Sequence, residues 1–421
     1  MDILLLFAVL VLCVTIGVPI GFAIAGATFL VTVAFTSMDL TTMAAYCTSG
    51  INSFPIMAVP FFLLAGSIMG TGGIARRIVD VSMCLVGHIA GGLGAVVTVA
   101  SMFFAALSGA GMATVAAMGG MLIPEMAKKG YDKGYSAALA ACAGTMGPII
   151  PPSMLFVIYG VCTQTSISDL FIAGIVPGVL MGLGLLITNT VICKKNNIPK
   201  QEKCSMRQTG RAIWEAKWAL LAPVIILGGI YSGIFTPTES AAVACVYCAV
   251  ISLFVYRETS FKEMYTALAD TAVVNGMTSF LLGTCTAFAG YLSLEQVPQK
   301  LLDVMMGITD NKLLFMLMIN IILLVIGMFL DAVPAILIMA PILLPVVTGF
   351  GIDSVHFGII VCINLAIGLV TPPYGCNLFV ASAVAELPIE RVTKHMVPLL
   401  CTLITVLIVV TYIPQITLFL L

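Results

Sequence analysis

The feature that most restricts this chain is a succession of apolar stretches, most of them close to the length that crosses the ~30 Å hydrocarbon core of a bilayer. They lie at 2–18, 20–36, 54–70, 135–162, 170–192, 217–232, 239–256, 270–292, 356–384 and 396–420, four of them only 16 to 17 residues long. No soluble core absorbs so many. The composition agrees, since 61% of the 421 residues are hydrophobic and 9% are charged, where soluble chains average ~25% charged. The sequence therefore specifies an all-α polytopic membrane protein. Its opening, MDILLLFAVLVLCVTIGV, lacks the basic n-region and small-residue cleavage site of a signal peptide and reads as the first span, retained. A net charge of −1 with no basic stripe argues against a nucleic-acid partner.

Thirteen cysteines are scattered through apolar runs, where a buried thiol behaves as a small hydrophobe. The one close pair, Cys245 and Cys248, falls inside an expected span, where packing competes with a redox or metal role. The three histidines, His88, His356 and His395, show no metal-ligand spacing such as HExxH.

Two further apolar stretches, 93–125 and 313–348, are interrupted by a polar or Gly-rich break near their centres. Each arm is then about 15 residues, or ~22 Å, too short to cross alone, and both stretches read as re-entrant helical hairpins.

Orientation follows from the basic residues, which collect on the cytoplasmic side. The polar linker 194–217 carries Lys194, Lys195, Lys200, Lys203, Arg207, Arg211 and Lys217. Counting spans outward from it puts Arg76, Arg77, Lys128, Lys129, Lys133, Arg257, Lys262, Arg391 and Lys394 on the same side. Of the 18 basic residues only Lys300 and Lys312 fall opposite, and both termini are expected to face outward.

The linker separates two halves that resemble each other. A shift of 221 residues lays 108–152 on 329–373 without a gap and matches Met118 with Met339, Leu122 with Leu343, Pro124 with Pro345, Gly130 with Gly351, Asp132 with Asp353, Gly147 with Gly368, Pro151 with Pro372 and Pro152 with Pro373. Most of these identities are Gly, Pro or Asp, which set backbone shape. Upstream, GVPIGFA (17–23) is similar to FTPTESA (235–241). With five crossings in each half, an odd number, the halves become two inverted-topology repeats, an arrangement common in secondary transporters. The domains expected are a first repeat over 1–193 (scaffold spans 1–70, arm 72–92, hairpin 93–125, broken span 135–162, span 170–192), the basic linker 194–217, and a second repeat over 218–421 (scaffold spans 218–292, arm 293–312, hairpin 313–348, broken span 356–384, final span 396–420).

Each half also contains a broken helix. GTMGPIIPPS (144–153) and its counterpart AIGLVTPPYG (366–375) place prolines and glycines inside apolar spans. Unwound backbone at membrane depth is tolerated where it is buried in protein or lines a wet cavity. The hairpin tips LSGAGMAT (107–114) and FLDAVPA (329–335) should reach the same depth. Broken ends offer carbonyls to a small hard cation such as sodium and N–H groups to an anion. One such break taken alone would suit an ordinary packing kink. Two at equivalent positions point to a cation-coupled anion site.

Among side chains, Asp331 stands in an apolar run from Leu313 to Val347 without another charge. A carboxylate at that depth calls for a cation or a water-filled cavity, or else is a protonated, hydrogen-bonded structural group. Ser108, Thr114 and Thr371 sit at the tips and breaks, where they either serve the site or bond back to a carbonyl one turn earlier. Glu239 in TPTES reads as a helix cap. The segments 72–92 and 293–312 alternate at helical spacing and suit amphipathic arms at the membrane surface, in competition with plain loops.

Taken together, SGAGMATVAAMGGMLIPEM, KKGYDKGYSAALAACAGTMGPIIPPS, DLFIAGIVPG, GIFTPTESAAV, GMFLDAVPAILIMAPILLPV and GLVTPPYGCNLFVAS resemble the large membrane subunit of tripartite ATP-independent periplasmic (TRAP) transporters. The resemblance covers nearly the whole chain, with the paired PP motifs and TPTE its most specific parts and the linker its least. It implies an elevator-type, ion-transporter-like fold in a bacterial or archaeal inner membrane, and sodium-driven import of an organic acid. No cofactor beyond the coupling Na+ is implied. The partners would be a small four-span membrane subunit and a periplasmic substrate-binding protein, with membrane lipid around them. Because the chain starts directly on its first span, the unfused form is expected. Carried onto these positions, Na+ would be held around Ser108, Gly111, Gly147 and Pro151, and around Asp331, Gly368, Thr371 and Pro372. The acid would meet Ser108, Gly109, Thr114, Ser153, Pro334 and Asn377. The rival within transport is a stand-alone sodium-coupled dicarboxylate or ion transporter of the same inverted-repeat type. An intramembrane hydrolase lacks a Ser/His, paired-Asp or metal constellation, so no enzyme activity is expected, and a passive scaffold would not need two symmetric breaks.

Overall fold

The computed structural model describes residues 2–35, 39–71, 73–196, 198, 201–309 and 311–421. Met1, the second span's end at Thr36, the first arm's start at Gly72, Lys200 and Asp310 lie outside the described residues. Among those described, all regular structure is helical, as membrane burial of backbone polar groups requires.

In chain order the helices are α1 (Asp2–Thr15), α2 (Ile20–Phe35), α3 (Leu40–Ile51), α4 (Ala58–Thr71, entered through the 3-10 turn Phe54–Met57), α5 (Ile74–Val86) and α6 (Gly92–Ser108). A sharp turn leads into α7 (Gly111–Thr114), which runs through the π-helical segment Val115–Gly119 into α8 (Gly120–Lys128). Then come α9 (Lys133–Gly144), α10 (Met154–Thr163), α11 (Ile167–Lys195) and, in the linker, α12 (Met206–Glu215). The second half holds α13 (Lys217–Tyr231), α14 (Pro237–Val250, prolonged by a π-helical segment Ile251–Tyr256), α15 (Phe261–Leu294), α16 (Val297–Ile308), α17 (Lys312–Phe329) and α18 (Ala332–Gly349). It ends with α19 (Ser354–Gly368), α20 (Cys376–Ala385), α21 (Ile389–Thr393), α22 (Val397–Tyr412) and α23 (Gln415–Leu418).

Local chemistry sets several of these boundaries. Asp132 accepts from the amide of Tyr135 to start α9, and its counterpart Asp353 accepts from Val355 and His356 to start α19. Thr236 and Glu239 form a reciprocal capping box at the head of α14, which bears out the capping role expected for Glu239. Cys245 donates to the carbonyl of Phe61 and is buried with Cys248, so this pair packs.

The stretches expected at 135–162 and 356–384 are each divided, α9 from α10 and α19 from α20. Segments expected as arms contain helices α5 and α16. Three differences have plain causes. α3 falls outside the expected spans, because LTTMAAYCTSGI is only moderately apolar; its polar groups stay satisfied along the helix, as when Thr48 donates to the carbonyls of Ala44 and Ala45. It meets the helical segment 54–70 at a 50° bend. The arms expected to be about 15 residues are longer, with 17 in α6 and 18 in each of α17 and α18, because the helices continue into polar flanks such as Lys312. Pro414 splits the last stretch, ending α22 at Tyr412. Five described helices are long and apolar enough to cross a membrane, seven if each bent pair is one span.

Packing is reciprocal between the halves. α10 lies on α18, and α20 lies on the segment from α7 to α8 and on α9. α4 packs on α14, while α15 packs on α2 and α3. Each break is thereby enclosed by elements from the other half.

Candidate functional site

Ser108 ends α6 and Gly109 turns the chain with φ +62°, a conformation that suits a residue without Cβ. The resulting tip enters the first break. A Cβ on Gly147 would lie 2.6 Å from the carbonyl oxygen of Ala110 and 2.9 Å from the amide of Gly111. The amide of Met154 donates to the carbonyl of Gly109 at 3.4 Å. Between α9 and α10 the chain makes turns and a cis Pro151–Pro152 bond. Ser153 then caps α10, accepting from the amide of Phe156 and donating to the carbonyl of Pro148. Ser108, Gly147, Pro151 and Ser153 are all buried.

The hydroxyls at this tip divide their roles. Thr114 donates to the carbonyl of Ala110 at 2.8 Å, the back-bond that any membrane threonine can make. Ser108 Oγ lies 3.2 Å from Thr114 Oγ1. With the threonine proton engaged, Ser108 supplies the proton between them and keeps its acceptor lone pairs for another partner.

The second tip joins α17 to α18 at Asp331, whose backbone takes the N-cap position without a side-chain cap bond. Cys376 Sγ approaches its carboxylate at 3.9 Å, and no described cation pairs with it. The second break meets α17 closely: a Cβ on Gly368 would lie within 2.5 Å of the Gly327 carbonyl oxygen, and the amide of Tyr374 donates to Met328. Thr371 bonds back to Ile367, Pro372–Pro373 is cis, and Thr371 and Pro372 are half-buried.

The two tips share one small cavity of about 50 Å³. Gly109, Gly111 and Pro148 line it from one side, Asp331 and Leu369 from the other. A hard cation with a few oxygen ligands fits such a space; an organic acid, for which pockets of ~300 Å³ or more are usual, does not. Asn377, on α20, is fully buried against Gly111 and Gly144. Its Nδ2 donates weakly to Ala141 at 3.4 Å, and its Oδ1 has no protein partner. Pro334 is buried in the first turn of α18 and does not line the cavity. Among the described residues no cluster of three or more His, Cys, Asp or Glu is placed to hold a metal; any cation here relies on hydroxyl and carbonyl oxygens beside Asp331.

Acid-sized space lies further along α10 and α18. Two adjoining cavities of about 330 and 570 Å³ share Ser53, Val161 and Gln164. Hydroxyls such as Ser49, Ser53, Ser166, Thr238 and Thr286 line them, with no charged side chain. None of the six residues expected to meet the acid is among the lining. The sequence signal was the polar run TQTSIS (163–168), which passes for an ordinary turn between spans.

Fold and site together define a polytopic helical membrane protein of transporter build. The fold is similar to that of the Alcanivorax borkumensis YdaH transporter, with a TM-score of 0.59 over 90% of both chains at 17% identity. The profile described as the tripartite ATP-independent periplasmic transporter, DctM component, matches residues 7–416, and the chain belongs to this family. It is 45% identical, over 98% of its length, to the isethionate TRAP transporter permease protein DctMQ of Oleidesulfovibrio alaskensis and spans 65% of that relative. It is 44% identical to the C4-dicarboxylate TRAP transporter large permease protein DctM of Pseudomonas aeruginosa, over 87% of this chain and 86% of the relative. The 2,3-diketo-L-gulonate large permease protein YiaN of Escherichia coli is 39% identical over 96% of both.

Proposed function

We propose that this chain is the large membrane subunit of a sodium-driven uptake system for a small organic anion, working by an elevator movement of one helical body against another. The observation that carries the reading is the convergence of two helix tips and two broken helices on one cavity, with an uncompensated carboxylate at its wall. A cation would neutralise Asp331 and draw both tips together; its release would free them. Sodium is then held at two places, around Ser108, Gly111, Gly147 and Pro151 at the first tip and around Asp331, Gly368, Thr371 and Pro372 at the second; of these, Gly111 and Asp331 line the shared cavity. The anion meets the helix ends at Gly109 and Ser153, with Ser108, Thr114, Pro334 and Asn377 around it, once the cavity opens.

The halves 1–193 and 218–421 act as inverted repeats joined by the cytoplasmic linker 194–217, with both termini outward. Support comes from the reciprocal packing and from the burial of the first tip at Ser108, Gly109 and Gly111, since a connection between two full spans would lie at the membrane surface. The hydroxyl-lined cavities beside Ser53 and Gln164 serve as the access route from the outer side, their neutral walls neither trapping nor repelling an anion. The relatives' names mention isethionate, C4-dicarboxylates and 2,3-diketo-L-gulonate. The substrate class is accordingly a small hydrophilic organic anion bearing a carboxylate or sulfonate. The partners are a small membrane subunit and a periplasmic binding protein that delivers the anion.

Uptake of labelled organic acids into proteoliposomes holding this chain and its small partner tests the reading, with and without a sodium gradient and the binding protein. Dependence on both supports it. Sodium-driven uptake without a binding protein would establish the stand-alone transporter instead, and uptake indifferent to sodium would overturn the coupling.

A further inference from the structure

The chain has only two tryptophans, and the fold brings both to one basic corner of the linker. α12 starts on a Ser205–Gln208 capping box, so its first turn is satisfied locally and it forms without burying any of its residues. It meets α13 at a 60° bend. α13 is apolar over most of its length, KWALLAPVIILGGIY; with α13 across the bilayer, the bend lays α12 close to the membrane surface at the linker end.

The two sides of α12 differ. Thr209, Ala212 and Ala216 face inward, where α12 packs on α5. On the other side Met206 is 92% exposed, Trp214 69% and Ile213 43%. Lys217 Nζ lies 3.6 Å from the centre of the Trp214 ring and 5.3 Å from that of Trp218. Arg207 is exposed on the same short helix, and Arg211 is held by Glu215 at 2.8 Å. An apolar, indole-bearing surface beside basic groups is the composition that settles at the headgroup boundary of a bilayer. Lys203, Arg207, Arg211 and Lys217 outnumber Glu202 and Glu215 here, and this imbalance selects an anionic headgroup over a zwitterionic one.

We infer that the outer face of α12 with the adjoining start of α13, carrying Arg207 and Trp214 from the one and Lys217 and Trp218 from the other, is a docking site for anionic phospholipid headgroups. Because α5 packs on both α12 and α6, the lipid would steady the arm that leads to the first tip.

The two tryptophans make the site self-reporting. The full chain is reconstituted into vesicles of phosphatidylcholine containing an equal fraction of brominated phosphatidylglycerol or brominated phosphatidylcholine, and tryptophan quenching is compared. Quenching by the brominated anionic lipid should exceed that by the zwitterionic one. The preference should shrink about five-fold for each charge removed in Arg207→Gln and Lys217→Gln, whose side chains lie outside the core. Equal quenching by both lipids would overturn the proposal. So would an absence of quenching, which would mean that water or another protein covers this face. The readout needs no transport, so its failure is separate from failure of the uptake mechanism.

Discussion

Gly147→Ala probes the contact on which the first half of the site depends. Gly147 does not occupy the left-handed region, so alanine meets no backbone penalty, and its effect is steric. The added Cβ would stand 2.6 Å from the oxygen and 2.7 Å from the carbon of the Ala110 carbonyl, and 2.9 Å from the amide of Gly111. All three are backbone atoms of the tip, and none can rotate away as a side chain would. Relaxed contacts lie near ~3.5–4.0 Å, so the tip must retreat by about 1 Å. Overpacking of this kind costs about 1–3 kcal/mol, or roughly a 5- to 150-fold loss in the assembled arrangement. Thermal unfolding of the purified chain, followed with and without sodium, and initial uptake rates read these effects. The expected result is a lower Tm, a weaker sodium-induced rise in Tm, and uptake reduced by about five-fold or more. Gly120→Ala is the internal control, because nothing lies within 4 Å of its Cβ and the site is helical. If Gly147→Ala behaved like this control, the tip would not be seated in the break and the reasoning would fail.

Other substitutions separate site chemistry from stability. Asp331→Asn keeps the shape and removes the charge; Tm in sodium-free buffer should hold or rise, while the sodium-induced rise disappears, and an unchanged sodium response would remove this carboxylate from ion binding. Asn377→Leu deletes an amide whose Oδ1 is buried without a protein partner, so stability should stay within ~1 kcal/mol of the parent while uptake falls at least ten-fold; normal uptake would make Asn377 a packing residue. Thr236→Ala removes the cap of α14, and should lower stability by about 0.5–2 kcal/mol with KM unchanged, whereas a raised KM would place this cap in the access route.

The site is legible in the sequence where a residue type has few alternatives. Proline and glycine in the middle of apolar spans announce broken helices whatever surrounds them, and both breaks stand where GTMGPIIPPS and AIGLVTPPYG placed them. Glu239 three residues after Thr236 left little choice but a capping box. Hydroxyls were harder. Thr114 and Thr371 turned out to bond back along their own helices, and nothing in the sequence distinguished them from Ser108, which meets another hydroxyl instead. α3 is not legible in the sequence, because its polar content hides a helix whose hydroxyls satisfy themselves.

The sequence by itself determined a helical membrane chain, the points where its helices break, and the family motifs at those points, because hydrocarbon forbids unsatisfied backbone and local residues must supply every remedy. Only the tertiary structure decided that both tips border one cavity of about 50 Å³, that Asn377 from one half lies against Gly111 of the other, and that the larger space opens beside Ser53 and Gln164. Those facts depend on contacts between residues as far apart as 111 and 377, which are set by how helices stack and not by any local pattern.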